Sequence, residues 1–137
     1  MAIGTWDPNQ NKQQDKDLLS NEFLERAIKA SADNRLEHLE QDFDSAEQRE
    51  LSAVMHQTEE QWLLAVNSFS SENIHHLMRF LTVAEMTFAD WEVGAKSPVI
   101  WLNKCLKTRG DALNREQVLW IKSNTRNRYL PNGAVLL

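Results

Sequence analysis

Residues 70–92 read SSENIHHLMRFLTVAEMTFADWE, and their spacing decides the fold. Ile74, Leu77, Met78, Phe80, Leu81, Ala84, Phe88 and Trp91 recur at the three- and four-residue intervals of an α-helix, with Val83 and Met86 on the other side. A helix that is apolar around so much of its circumference must be surrounded by other elements, so this one is expected at the centre. Ser70-Ser71 offers a tight turn and an N-cap oxygen, and the spacing predicts a helix from Glu72 to about Glu92. One residue breaks the pattern. Glu85 falls inside the apolar face, about 20° from Ile74 on a helical wheel of roughly 100° per residue. A carboxylate is costly to bury unless it is paired or protonated. It is therefore either a poised acid, base or ligand in a bundle pocket, or a structural hydrogen-bond partner across the core. The second reading is favoured.

Upstream, Leu51, Val54, Met55, Thr58, Trp62, Ala65, Val66 and Phe69 also share a helical face. Ser45-Ala46-Glu47-Gln48 matches a capping box with Gln48 at the fourth place. A single helix over 46–69 would be about 36 Å long and would fold back along 72–92 as an antiparallel hairpin. An earlier helix starts at Ser20, with Phe23, Leu24, Ala27, Ile28 and Ser31 facing inward. Asp33-Asn34 ends it, and Leu36, Leu39 and Phe43 imply a second, short helix. Downstream, Pro98 sits where a first helical residue belongs, Val99, Leu102, Cys105 and Leu106 face inward, and Gly110 stops the helix. Asn114 with Gln117 caps a last helix to about Asn124. The expected fold is all-α: a compact bundle of about five helices around a central antiparallel hairpin. A flexible tail over 1–17, with Trp6 as its apolar anchor, precedes one helical domain over 18–137 that ends in a basic segment.

Bulk properties narrow the class of protein. At 137 residues one domain can bury a core without disulfides. Cys105 is the single cysteine, so no intramolecular disulfide can form, and a reducing cytoplasmic setting is expected. No stretch has the length of a membrane span, and the first residues lack the pattern of a signal peptide. No nucleophile elbow, phosphate loop, zinc pattern or acid pair is present, so no cofactor is expected and catalysis is not favoured.

Charge is divided along the chain. Residues 1–95 carry 7 Lys+Arg against 18 Asp+Glu, and residues 96–137 carry 8 against 2, giving −11 and +6. Such asymmetry bears on partners more than on fold. The acidic side, with Glu37, Glu40 and Glu47, suits docking to a basic protein. In the basic segment Trp120 points away from the face that Val118 and Ile121 define. It is a contact anchor unless the apolar end from Tyr129 to Leu137 folds over it, which is the favoured reading. Arg126, Arg128 and Tyr129 beside it complete the candidate contact set.

The leading expectation is a protein-interaction module, an adaptor or an inhibitor-type partner of a basic protein. The alternative is nucleic-acid binding through 104–128. It is not favoured, because the helix-Gly-helix pattern is poor and the chain is net acidic. A metal- or small-ligand-binding bundle comes third. Glu72 and His75 form half of a carboxylate-histidine motif whose second half is missing, so a solvated helix start is favoured. Cys105 reads as a buried, inert thiol.

Overall fold

The computed structural model describes residues 19–133. The tail expected over 1–17 with its Trp6, and the apolar end Ala134 to Leu137, lie outside the described residues. Among those described, the chain is all-helical: α1 (Asn21–Ala32), α2 (Leu39–Asp42), α3 (Ser45–Leu51), α4 (Glu59–Ala65), α5 (Ser71–Thr87), α6 (Pro98–Arg109) and α7 (Arg115–Ser123). Short 3-10 turns at Leu36–His38, Ser52–His56 and Gly94–Lys96 join them.

Local chemistry sets most of the boundaries. Ser20 caps α1 by accepting the Phe23 N–H. Asn34 ends α1 in the left-handed region at φ 59°, and the Arg35 N–H returns to the Ala30 carbonyl. Ser70 caps α5 by accepting the Asn73 N–H, and Ser97 with Pro98 opens α6. Gly110, at φ 81°, closes α6. Asn114 and Gln117 form the capping box of α7.

α5 is the central element. α1 and α6 pack on it most extensively, and α4 packs on α6. Ile74, Leu77, Met78, Phe80, Leu81 and Ala84 are fully buried along α5. Around its C-terminal half stands an aromatic cluster. Phe80 meets Phe23 and Trp91 edge-on at centroid distances of 6.0 and 6.4 Å, and Phe88 meets Trp91 at 5.0 Å.

Three boundaries differ from the sequence expectation. The helix expected over 46–69 is broken into α3, a 3-10 turn and α4. Thr58 is not a core residue of that helix but the exposed N-cap of α4, and it forms a reciprocal capping box with Gln61. The 3-10 winding still buries Val54 and Met55, and the Val54 carbonyl accepts the Trp62 indole N–H at 3.0 Å. The break therefore keeps Val54, Met55 and the Trp62 indole in the core. The cap of α3 is Asp44 rather than Ser45, with Glu47 as its reciprocal partner. Gln48, expected in that box, instead donates from Nε2 to the Phe43 carbonyl. Finally, α5 ends at Thr87, not near Glu92. Phe88 is extended, Asp90 takes φ 69°, and the chain turns back across the helix end.

Behind α6 the C-terminal segment is fastened to the core. Leu130 is buried, and Asn103 Nδ2 donates to the Pro131 carbonyl at 3.1 Å. Gly133 has φ 83°, and a Cβ there would come within 3.0 Å of Ile100 Cγ2, so this close approach requires glycine.

Candidate functional site

Two depressions flank α7, and most of the candidate contact residues line one or the other. The first is a groove of about 600 Å³ between the 34–40 segment, α5 and α7. Glu37 and Glu40 come from the first side, Arg79 and Val83 from the second, Trp120 and Asn124 from the third. The two acidic residues and the tryptophan thus meet from opposite ends of the chain. The Arg79 guanidinium carbon lies 4.4 Å from the centre of the Trp120 ring, a cation–π contact. Residues 134–137 of the apolar end expected over Trp120 lie outside the described residues. Arg79 Nε is buried and has no acceptor, and among the described residues no ion pair joins Arg79 to Glu37 or Glu40. The groove therefore holds charges of both signs and a buried donor without a partner among the described residues.

The second depression, of about 240 Å³, lies on the other side of α7. Lys122, Thr125, Arg126, Asn127, Arg128, Leu130 and Asn132 line it, with no carboxylate among the described residues. Tyr129 is half-buried against the core, and its carbonyl accepts the Gly133 N–H.

Other candidates fall elsewhere. Glu47 lines neither depression. It closes the α3 capping box and pairs with Arg26 at 2.6 Å, and that hydrogen bond holds its carboxyl below the ordinary range. Arg26 also lies 4.0 Å above the Phe43 ring and donates to the Asp42 carbonyl. The opposed charges of the two halves meet in one ion pair among the described residues, Lys104 with Glu59 at 3.6 Å. Arg109, counted with the basic segment, donates to the carbonyls of Phe69, Val66 and Asn67 and so caps the chain end after α4. Leu119, expected beside the inner face of α7, is half exposed, while Ile121 is buried. Cys105 is half-buried rather than enclosed.

The carboxylate-histidine pairing also changes. Exposed Glu72 faces His76 at 4.0 Å, not His75. His76 Nδ1 shares a hydrogen bond with Ser31 Oγ at 2.9 Å. His75 lies against Gln117, and burial, with Arg79 and His76 nearby, pushes its pKa down. Among the described residues no group of three or more His, Cys, Asp or Glu side chains could hold a metal ion. No helix there is long and apolar enough to cross a membrane.

Glu85 is 3% exposed. Oε2 accepts the Val93 N–H at 3.1 Å, the Gly94 N–H at 3.3 Å and Asn127 Nδ2 at 3.0 Å. The same Asn127 amide donates to the Gly94 carbonyl at 3.0 Å. Its partners are thus neutral amides, as in the structural reading of a hydrogen-bond partner across the core. Burial raises its pKa, against the lowering effect of these hydrogen bonds, and Glu92 adds to the rise. One carboxylate therefore joins the end of α5, the turn at Val93–Gly94 and the segment after α7. The network is closed on itself, which favours a structural role.

Sequence reasoning missed Arg79 and Asn127. Arg79 carried a signal, a lone cation inside the apolar run of residues 74–91. Asn127, in a polar loop, carried none.

No protein-family model, no curated protein and no solved structure matches this chain.

Proposed function

We propose that the protein is an interaction module that docks a basic partner in the groove between the 34–40 segment and Trp120. The observation that carries this reading is the convergence of Glu37, Glu40 and Trp120 on one concave surface with Arg79. An extended basic segment fits its chemistry. A Lys or Arg side chain of the partner would reach the two carboxylates, and a backbone carbonyl would give Arg79 an acceptor. Trp120 has the size and amphipathic character of an interface anchor. The excess of acid before residue 96 would speed the encounter with such a partner. A protein with one half-buried cysteine fits a reducing compartment such as the cytoplasm.

Titration with a lysine-rich peptide at two salt concentrations, followed by stopped-flow and amide chemical shifts, tests the proposal. Shifts should centre on residues 34–40, 79–87 and 120–124. Glu37→Lys with Glu40→Lys should slow association strongly at low salt and weakly at high salt. Trp120→Ala should mainly speed dissociation. Unchanged kinetics in both variants would leave the groove without this function.

A further inference from the structure

We infer that copies of this chain associate head to tail, the α4 face around Leu64 of one copy covering the α7 face around Leu119 of the next. Among the described residues these two are the exposed large apolar side chains, Leu64 at 74% and Leu119 at 50%. They lie on different helices and in opposite surroundings. Leu63 and Leu64 line a shallow depression of about 660 Å³ together with Thr58, Glu59, Glu60 and Asn67. Glu60 is exposed one helical turn before Leu64, and Glu59 meets Lys104 at 3.6 Å. Leu119 has exposed Arg115 four residues before it and exposed Lys122 three residues after it, so both share its side of α7. The carboxylate of that helix is Glu116. One molecule thus carries an apolar centre with an acidic rim and an apolar centre with a basic rim.

This pairing identifies the occupant. A foreign basic protein would cover Leu64 but leave Leu119 exposed among cations, and a foreign acidic one would do the reverse. A second copy covers both leucines by repeating one contact. Like-on-like contact is disfavoured, because it would set Glu60 against Glu60, or Arg115 and Lys122 against their own copies. The contact is therefore heterologous. The division of charge acts in the same sense: −11 over residues 1–95 of one copy attracts +6 over residues 96–137 of another. Both faces are held from behind. Trp62 and Val66 bury the inner side of α4, and Ile121 buries that of α7, so the outer sides are presented without rearrangement. Faces of one or two helical turns make a small interface, so a Kd on the order of 100 μM is expected. The inference does not rest on the proposed groove, since neither Leu64 nor Leu119 lines it.

Sedimentation velocity of the full chain over a concentration series up to about 1 mM tests it. The parent should associate reversibly, and less at high salt. Leu64→Asp and Leu119→Asp, both at exposed positions, should each weaken association by at least about tenfold while keeping the parent's helix content. Their equimolar mixture should form dimers and nothing larger, because one intact α4 face then meets one intact α7 face. Glu37→Lys with Glu40→Lys, in the groove, should leave self-association within about twofold of the parent. A parent that stays monomeric throughout would overturn the inference. So would either leucine variant associating like the parent, a mixture that stays monomeric, or loss of association in the groove variant.

Discussion

The segments 44–69 and 70–94 carry the same kind of apolar periodicity, yet they fold differently. The second is one helix of 17 residues. The first is two helices of seven residues each with a 3-10 turn between them. The difference lies in the polar residues. Within α5, polar positions such as Thr82 bond back into the helix, from Oγ1 to the Met78 carbonyl, and do not compete for a new cap. In the first segment Thr58 and Gln61 form a capping box that starts a helix at Glu59, and the 3-10 turn before it keeps the apolar face continuous. Apolar spacing therefore shows which residues enter the core, and capping chemistry decides where the backbone breaks.

The two segments also differ in how they hold a carboxylate. Glu47 is near the surface and pairs with the Arg26 cation. Glu85 is buried and meets neutral N–H donors. Each arrangement fastens distant parts of the chain, but desolvation outweighs the hydrogen bonds only at Glu85.

The largest expected effect asks whether the broken segment is as much core as the continuous one. Trp62→Ala and Leu81→Ala remove fully buried side chains and should each cost about 3 kcal/mol or more in urea unfolding. A loss near zero for Trp62→Ala alone would show that 44–69 only covers the bundle. Next comes the Glu85 network. Glu85→Leu leaves the Val93, Gly94 and Asn127 donors without their acceptor and should cost about 1–3 kcal/mol, less than Trp62→Ala. Glu85→Gln keeps a carbonyl oxygen and should cost less than Glu85→Leu. The reverse order would mean that these donors do not need an oxygen acceptor at this position.

Thr58→Ala removes the cap that divides the first segment and should cost about 1 kcal/mol. A gain in helix content with no loss of stability would show that the break is imposed by packing instead. The smallest effect is one of pH. Glu85 has a raised folded pKa, so its contribution to stability is fully present below the ordinary carboxylate value of 4.5 and is lost as pH rises through the raised value. Glu47 has a lowered one, so its contribution is present above 4.5 and is lost as pH falls through the lowered value. Urea midpoints measured against pH should therefore separate Glu85→Gln from Glu47→Gln, with the parent gaining on the first and losing on the second as pH drops.

Much of the candidate surface was legible in the sequence as residue types. An outward tryptophan in a basic segment, an acidic side with Glu37, Glu40 and Glu47, and a carboxylate on an apolar face each stood out. What was not legible was their grouping. Glu37 and Trp120 are separated by more than half the chain, and no periodicity links them. Glu47, read with Glu37 and Glu40, went instead to a local cap and to Arg26. Arg126 and Arg128 were read with Trp120, but they line a different depression.

By itself the sequence determined the all-α class, the helix starts near Ser20, Ser70-Ser71, Pro98 and Asn114, and the central place of the helix that follows Ser70-Ser71. These depend on hydrogen bonds and periodicities that span only a few residues. Only the tertiary structure decided that α5 stops at Thr87, that Glu85 faces Asn127, and that Arg79 lies under Trp120 beside Glu37 and Glu40. Those outcomes depend on which distant donors reach a desolvated group once the helices have packed. A buried carboxylate or guanidinium takes whatever partner the fold brings within hydrogen-bond range, and local spacing carries no record of that partner.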